Sequence, residues 1–150
     1  MNVRLHIAVA LTIATTAAAQ TPWADRVAIA EKHKVAAITE RRFTQAQLWH
    51  AIQPSLASPK LTVKDVGKSM QGRTLRTVTF GKGPVKVFMW SQMHGNEATA
   101  TMALADIFAF LVAKEPSALR DRIENDLTVT FLPMLNPDGA EIFQRENAAG

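Results

Sequence analysis

The run His94-Gly95-Asn96-Glu97 sets an imidazole three residues ahead of a carboxylate, with a glycine directly after the histidine. An imidazole nitrogen and a carboxylate oxygen, each about 2 Å from a common centre, are two of the ligands a zinc ion takes. The pair can converge only if the chain turns sharply between them, and Gly95 allows that turn. On spacing alone a second reading stands beside the first. His94 is then an exposed loop residue, and Glu97 a first-turn acid favoured by the positive end of a helix. There is no cysteine, so thiolate ligation and disulfides are excluded, and His, Asp and Glu are the candidate ligands.

The flanking elements decide whether the two side chains share a site. Val85-Lys86-Val87-Phe88-Met89-Trp90 is β-branched and aromatic and follows Gly83-Pro84, which predicts a strand. Ala98 to Ala113 consists of helix formers that are apolar on most faces, which predicts a helix packed on a broad surface such as a sheet. Pro116 marks its end. The tetrad therefore sits where a strand hands over to a helix, and in open α/β sheets sites form at the carboxyl ends of strands.

A short polar helix is predicted over Leu119–Asn125, then a strand over Leu127–Leu132, then a turn at Asn136-Pro137-Asp138-Gly139. Strand, helix and strand joined by a connection of this length form a parallel crossover, so the fold class is α/β, with a mixed sheet and flanking helices. Upstream, Leu61 to Val66 and Leu75 to Phe80 read as a hairpin around the Gly67–Arg73 turn. Trp23 to Ile52 reads as helical, with Thr44 and Gln47 placed as a capping box. Pro54, Ser55, Ser58 and Pro59 predict a boundary near residues 54–60.

Composition narrows the function classes. A net charge of +4 is spread along the chain, densest at Lys32-His33-Lys34 and Arg41-Arg42, and forms no basic stripe or reader motif. Nucleic-acid binding is not expected. The N-terminus, with basic Arg4, apolar Leu5–Ala14 and small Ala17-Ala18-Ala19, reads as a cleavable export signal cut after Ala19. Its apolar run is short for the roughly 20 residues of a membrane span, so no stable anchor is expected after cleavage. The expected localisation is secreted or periplasmic.

Taken in order, Gly67-Lys68-Ser69 to Gly72-Arg73, then His94-Gly95-Asn96-Glu97, then Asn136-Pro137-Asp138-Gly139, the sequence resembles the zinc carboxypeptidase family. The resemblance covers residues 61–150 and corresponds to the front third of the catalytic domain. It implies that His94 and Glu97 are the first two ligands of one Zn2+, and that Arg145 polarises the scissile carbonyl and stabilises its oxyanion. It assigns structural parts to Arg73 and to the Asn136–Gly139 turn. Digestive members carry a substrate-binding arginine immediately before the ligand glutamate; here Asn96 holds that place. This departure puts ordinary polypeptide in doubt as the substrate and resembles cell-wall peptidases and N-acyl amino-acid deacylases.

The domain reading is therefore an export signal over 1–19, a helical segment over 20–56, and the N-terminal portion of a zinc carboxypeptidase-like catalytic domain over 57–150. The third ligand (a second histidine), the general-base glutamate and an Asn-Arg pair are expected beyond Gly150. His33 and His50 lie outside the resemblance and are not expected to replace that ligand. The expected function is hydrolysis of a C-terminal or murein-type peptide bond, with the 150-residue chain itself inactive. The alternatives are a deacylase of N-acyl amino acids and a truncated, non-catalytic binding module.

Overall fold

The computed structural model describes residues 22–150, so the export signal read at 1–19 lies outside the described residues. Among the described residues, five helices and four strands follow in the order α1 (Trp23–Lys32), α2 (Gln45–Leu56), β1 (Leu61–Lys68), β2 (Thr74–Phe80), β3 (Val85–Trp90), α3 (Thr99–Val112), α4 (Ala118–Asp126), β4 (Leu127–Leu132) and α5 (Pro137–Ile142).

The strands form a mixed sheet in the order β1-β2-β4-β3. β1 pairs antiparallel with β2 as the expected hairpin, and β2 pairs antiparallel with β4. β3 and β4 run parallel over their full length, from Val85 beside Leu127 to Trp90 beside Leu132. The connection between them passes through α3 and α4, which is the crossover predicted from the strand and helix patterns. Because the two strands start and stop together, the loops that leave them lie side by side. Leu135 N–H donates to the Ser91 carbonyl and Asn136 N–H to the Gln92 carbonyl, both at 3.0 Å, which extends the ladder beyond the strands.

The core lies between the sheet and the helices. Leu104, Phe108 and Leu111 of α3 are buried in one cluster with Val78, Phe80, Val129 and Phe131 of the sheet and Leu48 and Ile52 of α2. The Phe108 and Phe131 rings meet edge to face at 5.3 Å, the arrangement their quadrupoles favour. β3 is an edge strand whose Val85, Phe88 and Trp90 are more than half exposed. No helix among the described residues is long and apolar enough to cross a membrane.

Two local readings are corrected. The Trp23–Ile52 pattern is two helices, with residues 33–44 outside regular helix. β-Branched Val35, Ile38 and Thr39 favour helix poorly, and Val35 N–H donates to Asp106 Oδ1 at 2.7 Å instead of to a helical carbonyl. Thr44 then starts α2 with the expected capping box, its Oγ1 accepting from Gln47 N and Gln47 Oε1 accepting from Thr44 N. The break expected near residues 54–60 falls where α2 ends, at Leu56, with Pro54 inside its last turn. The carbonyl that loses its partner belongs to His50, an exposed residue that water can satisfy. The Asn136–Gly139 segment is the cap and first turn of α5, with Asn136 Oδ1 accepting from Gly139 N–H at 2.9 Å and Pro137 at the first helical position, where its missing N–H is harmless.

Phe108 joins α3 to the sheet and is fully buried. Phe108→Ala should lower unfolding stability by about 3–5 kcal/mol, measured by urea denaturation.

Candidate metal centre

The site is assembled where β3 and β4 end. Ser91 and Gln92 leave β3, Gly95 turns the chain, and Glu97 comes just ahead of α3. His94 Nδ1 lies 2.8 Å from Glu97 Oε2. An ionised carboxylate has no proton to give, so the imidazole Nδ1–H is the donor. Arg145 Nη1 donates to the other oxygen of the same carboxylate, Oε1, at 2.8 Å. Three of the four site residues expected from sequence are thus brought together on Glu97. The fourth, Asn96, is half-buried, and its Oδ1 is enclosed without a hydrogen-bond partner.

Glu97 is held below the usual carboxylate range. The hydrogen bond from His94 is the main cause, desolvation opposes it, and the Arg145 guanidinium adds to the lowering. The group is about half exposed, so its ionisation is secured by these two donors rather than by enclosure.

Arg145 reaches Glu97 because its backbone is fixed to both loops. Its carbonyl accepts from Gly95 N–H at 3.4 Å and from Asn136 Nδ2 at 3.2 Å. Gly95 and Gly139 make this approach possible. A Cβ on Gly95 would stand 2.0 Å from the Gly139 carbonyl carbon, and one on Gly139 would stand 2.5 Å from the Glu146 carbonyl oxygen. No side chain fits at either position without moving backbone.

A second ionic cluster supports the first. Asp138 is only 3% exposed, and its carboxylate accepts from Ser69 Oγ at 2.7 Å, Gln71 N–H at 3.1 Å and Arg73 Nη1 at 2.7 Å. Burial by itself would raise the Asp138 carboxyl, but the Ser69, Arg73 and Gln71 donors outweigh it and hold the group below its ordinary value. Arg73 and the Asn136–Gly139 segment were expected to be structural. Their direct bond through Asp138 was not, and the only sequence signal for it is an acid in the first turn of a helix that follows Asn-Pro.

A cleft of about 500 Å³ opens over this corner, lined by residues including His94, Arg145, Ser69, Asp138 and Asn147. Glu97 borders a neighbouring cleft of about 370 Å³ with Gln92, Met93 and Trp90. His33 and His50 line neither cleft: His33 packs edge-on against Phe110 at 5.5 Å, and His50 is exposed on α2.

The donor chemistry fits zinc as two members of a coordination set. A nitrogen and an oxygen 2.8 Å apart can both face one ion with bonds of about 2 Å. Among the described residues no group of three His, Cys, Asp or Glu is gathered that could hold a metal ion.

The sequence model of the zinc carboxypeptidase family matches residues 52–150. Carboxypeptidase B of Astacus astacus is 34% identical over 90 residues, a match that spans 57% of this chain and 27% of that protein. Among solved structures, a metallo-carboxypeptidase from Burkholderia cenocepacia superposes with a TM-score of 0.65 at 20% identity, covering 72% of this chain and 31% of that one. A metallo-carboxypeptidase from Pseudomonas aeruginosa, solved with (2-guanidinoethylmercapto)succinic acid, gives 0.59 at 22% identity, covering 72% and 30%. The chain therefore spans less than a third of the length of each of these relatives.

The buried Asp138 pair yields a prediction with a defined sign. A carboxyl whose pKa is lowered on folding adds stability above its unfolded value, near 3.8, and that stability is lost as pH falls toward the lower folded value. Asp138→Ala should cost about 3 kcal/mol at neutral pH by leaving Arg73 without its main partner. The difference between wild type and variant in urea unfolding should shrink on acidification below about pH 4.

Proposed function

The chain belongs to the zinc carboxypeptidase family, and from that premise we propose that the intact protein is an exported zinc-dependent peptidase acting on a C-terminal or murein-type peptide bond. The observation that carries the reading is the convergence of His94, Glu97 and Arg145 on one point at the ends of two parallel strands. His94 Nδ1 and Glu97 Oε2 would hold the ion in place of the proton they now share. Zinc bound there supplies Lewis acidity, lowering the pKa of a water to about 7 and polarising the scissile carbonyl.

The chain's own residues do the rest of the work assigned here. Arg145, fixed by Gly95 and Asn136 through its backbone, directs a guanidinium to the edge of the cleft, where it binds the substrate carbonyl and takes a share of the developing oxyanion charge. Its ion pair with Glu97 keeps that carboxylate ionised and oriented. Asn96 supplies a neutral amide to substrate in the place where digestive members have a cation. No third ligand and no general base are assigned among the described residues, and the chain spans less than a third of its relatives' length. The leader read at residues 1–19 supports a secreted or periplasmic location.

Asn96 also favours a second reading, deacylation of N-acyl amino acids at the same centre. The export signal weighs against it, since such small metabolites are handled mostly inside the cell. A panel of peptide, murein-peptide and N-acyl amino-acid substrates separates the two by kcat/KM.

In the intact protein His94→Ala should remove both bound zinc, measured by elemental analysis, and hydrolysis; activity retained at a wild-type level would refute the site. A polypeptide ending at Gly150 should hold zinc weakly and release no C-terminal residue in the presence of added zinc, because two protein ligands are fewer than zinc sites use.

A further inference from the structure

Gln92 stands two residues before His94 and has two properties that are rarely combined. Its backbone is in the left-handed region at φ 49°, where side chains other than glycine, asparagine and aspartate are uncommon. Its side chain is only 4% exposed although it is a polar amide on a loop. Such conformations persist where the surroundings over-determine them, and they concentrate at functional sites.

The surroundings here are specific. Gln92 Nε2 donates to the Gly95 carbonyl at 2.8 Å, closing a ring of chain around Met93 and His94. The Gln92 carbonyl accepts from Asn136 N–H at 3.0 Å, which ties the same residue to the end of β4. Gly95, the residue gripped, is also the one wedged against Gly139. The amide oxygen, Oε1, is enclosed and has no partner, so the side chain is not held there to satisfy itself. Only its N–H is bonded, and the bond falls on the Gly95–Asn96 peptide, directly after His94.

We propose that Gln92 is the positioning residue of the metal centre: its amide clamps the Gly95 carbonyl and so fixes the angle at which His94 faces Glu97. The inference rests on the reading of His94 and Glu97 as zinc ligands. Outer residues that orient a ligand typically change metal affinity by about 10- to 100-fold when lost. Gln92 touches neither the ion nor substrate in this assignment and acts only through the loop.

The test compares wild type, Gln92→Met and Gln92→Gly in the intact protein. Methionine keeps the volume and removes the donor. Glycine removes the donor and adopts the left-handed backbone without strain, which makes it the second variant should methionine fail to fold. Zinc affinity is measured by chelator competition, and the melting temperature is measured on metal-free protein. Both variants should bind zinc at least about tenfold more weakly, with metal-free melting temperatures within a few degrees of wild type. Wild-type zinc affinity in either variant overturns the positioning role. Affinity that falls only in step with the melting temperature also overturns it, since a merely structural residue behaves that way. A wild-type protein that binds no zinc refutes the reading of the centre itself, a failure distinct from that of Gln92.

Discussion

A full negative charge on Asp138, almost completely removed from water, is the constraint around which this corner of the molecule is arranged. Such a charge is tolerable only when its lone pairs are filled by donors of fixed geometry. Here the donors come from the turn between β1 and β2, while the carboxylate comes from the first turn of α5. The bond therefore joins two segments that the sheet order leaves otherwise unlinked. It fixes where α5 begins, and with it Gly139, the Gly95 loop pressed on Gly139, and the backbone of Arg145. The arrangement at Glu97 is the last member of that series.

The elements were legible because each had a local cause. Val85–Trp90 and Leu127–Leu132 carry strand composition throughout, and both form strands with those limits. The Thr44 capping box is written in two residues and was found as read. Failures arose where a distant partner overrode local preference. Val35 leaves the helical pattern because Asp106, 71 positions away, takes its N–H. The Asn136–Gly139 segment has turn composition, but a capped helix uses the same residues in the same order. Spacing offered the His94–Glu97 pair beside a plain loop reading, and Arg145 entered only through the family pattern; the structure places both His94 and Arg145 within hydrogen-bond reach of Glu97. Gln92 was not legible at all, because nothing in its type announces a left-handed backbone or a buried amide.

The family match begins inside α2, yet residues before it are built into the same body. Gln45 N–H donates to Glu141 of α5 and its side chain to the Thr74 carbonyl at the start of β2. Glu141 in turn stands 3.7 Å from the Arg73 guanidinium that serves Asp138. The helix that precedes the hairpin thus braces the two segments that Asp138 joins. The solved relatives share this fold at about 20% identity, which is expected of a framework set by pairing and burial and not by particular side chains.

The contact between Gly95 and Gly139 has a consequence for how this region can change over evolutionary time. Gly95 is required by the backbone of Gly139 and Ala140, and Gly139 by the Gln144 and Glu146 carbonyls that follow it, so neither can gain a side chain while that main chain stays where it is. A change at Gly95 then has no one-step remedy at Gly139, because Gly139 is already as small as a residue can be. Substitutions on the outer faces of these loops meet no such obstacle, whereas the point at which the loops meet is closed to them. Sequence change at this corner must therefore be accommodated around the contact and never through it.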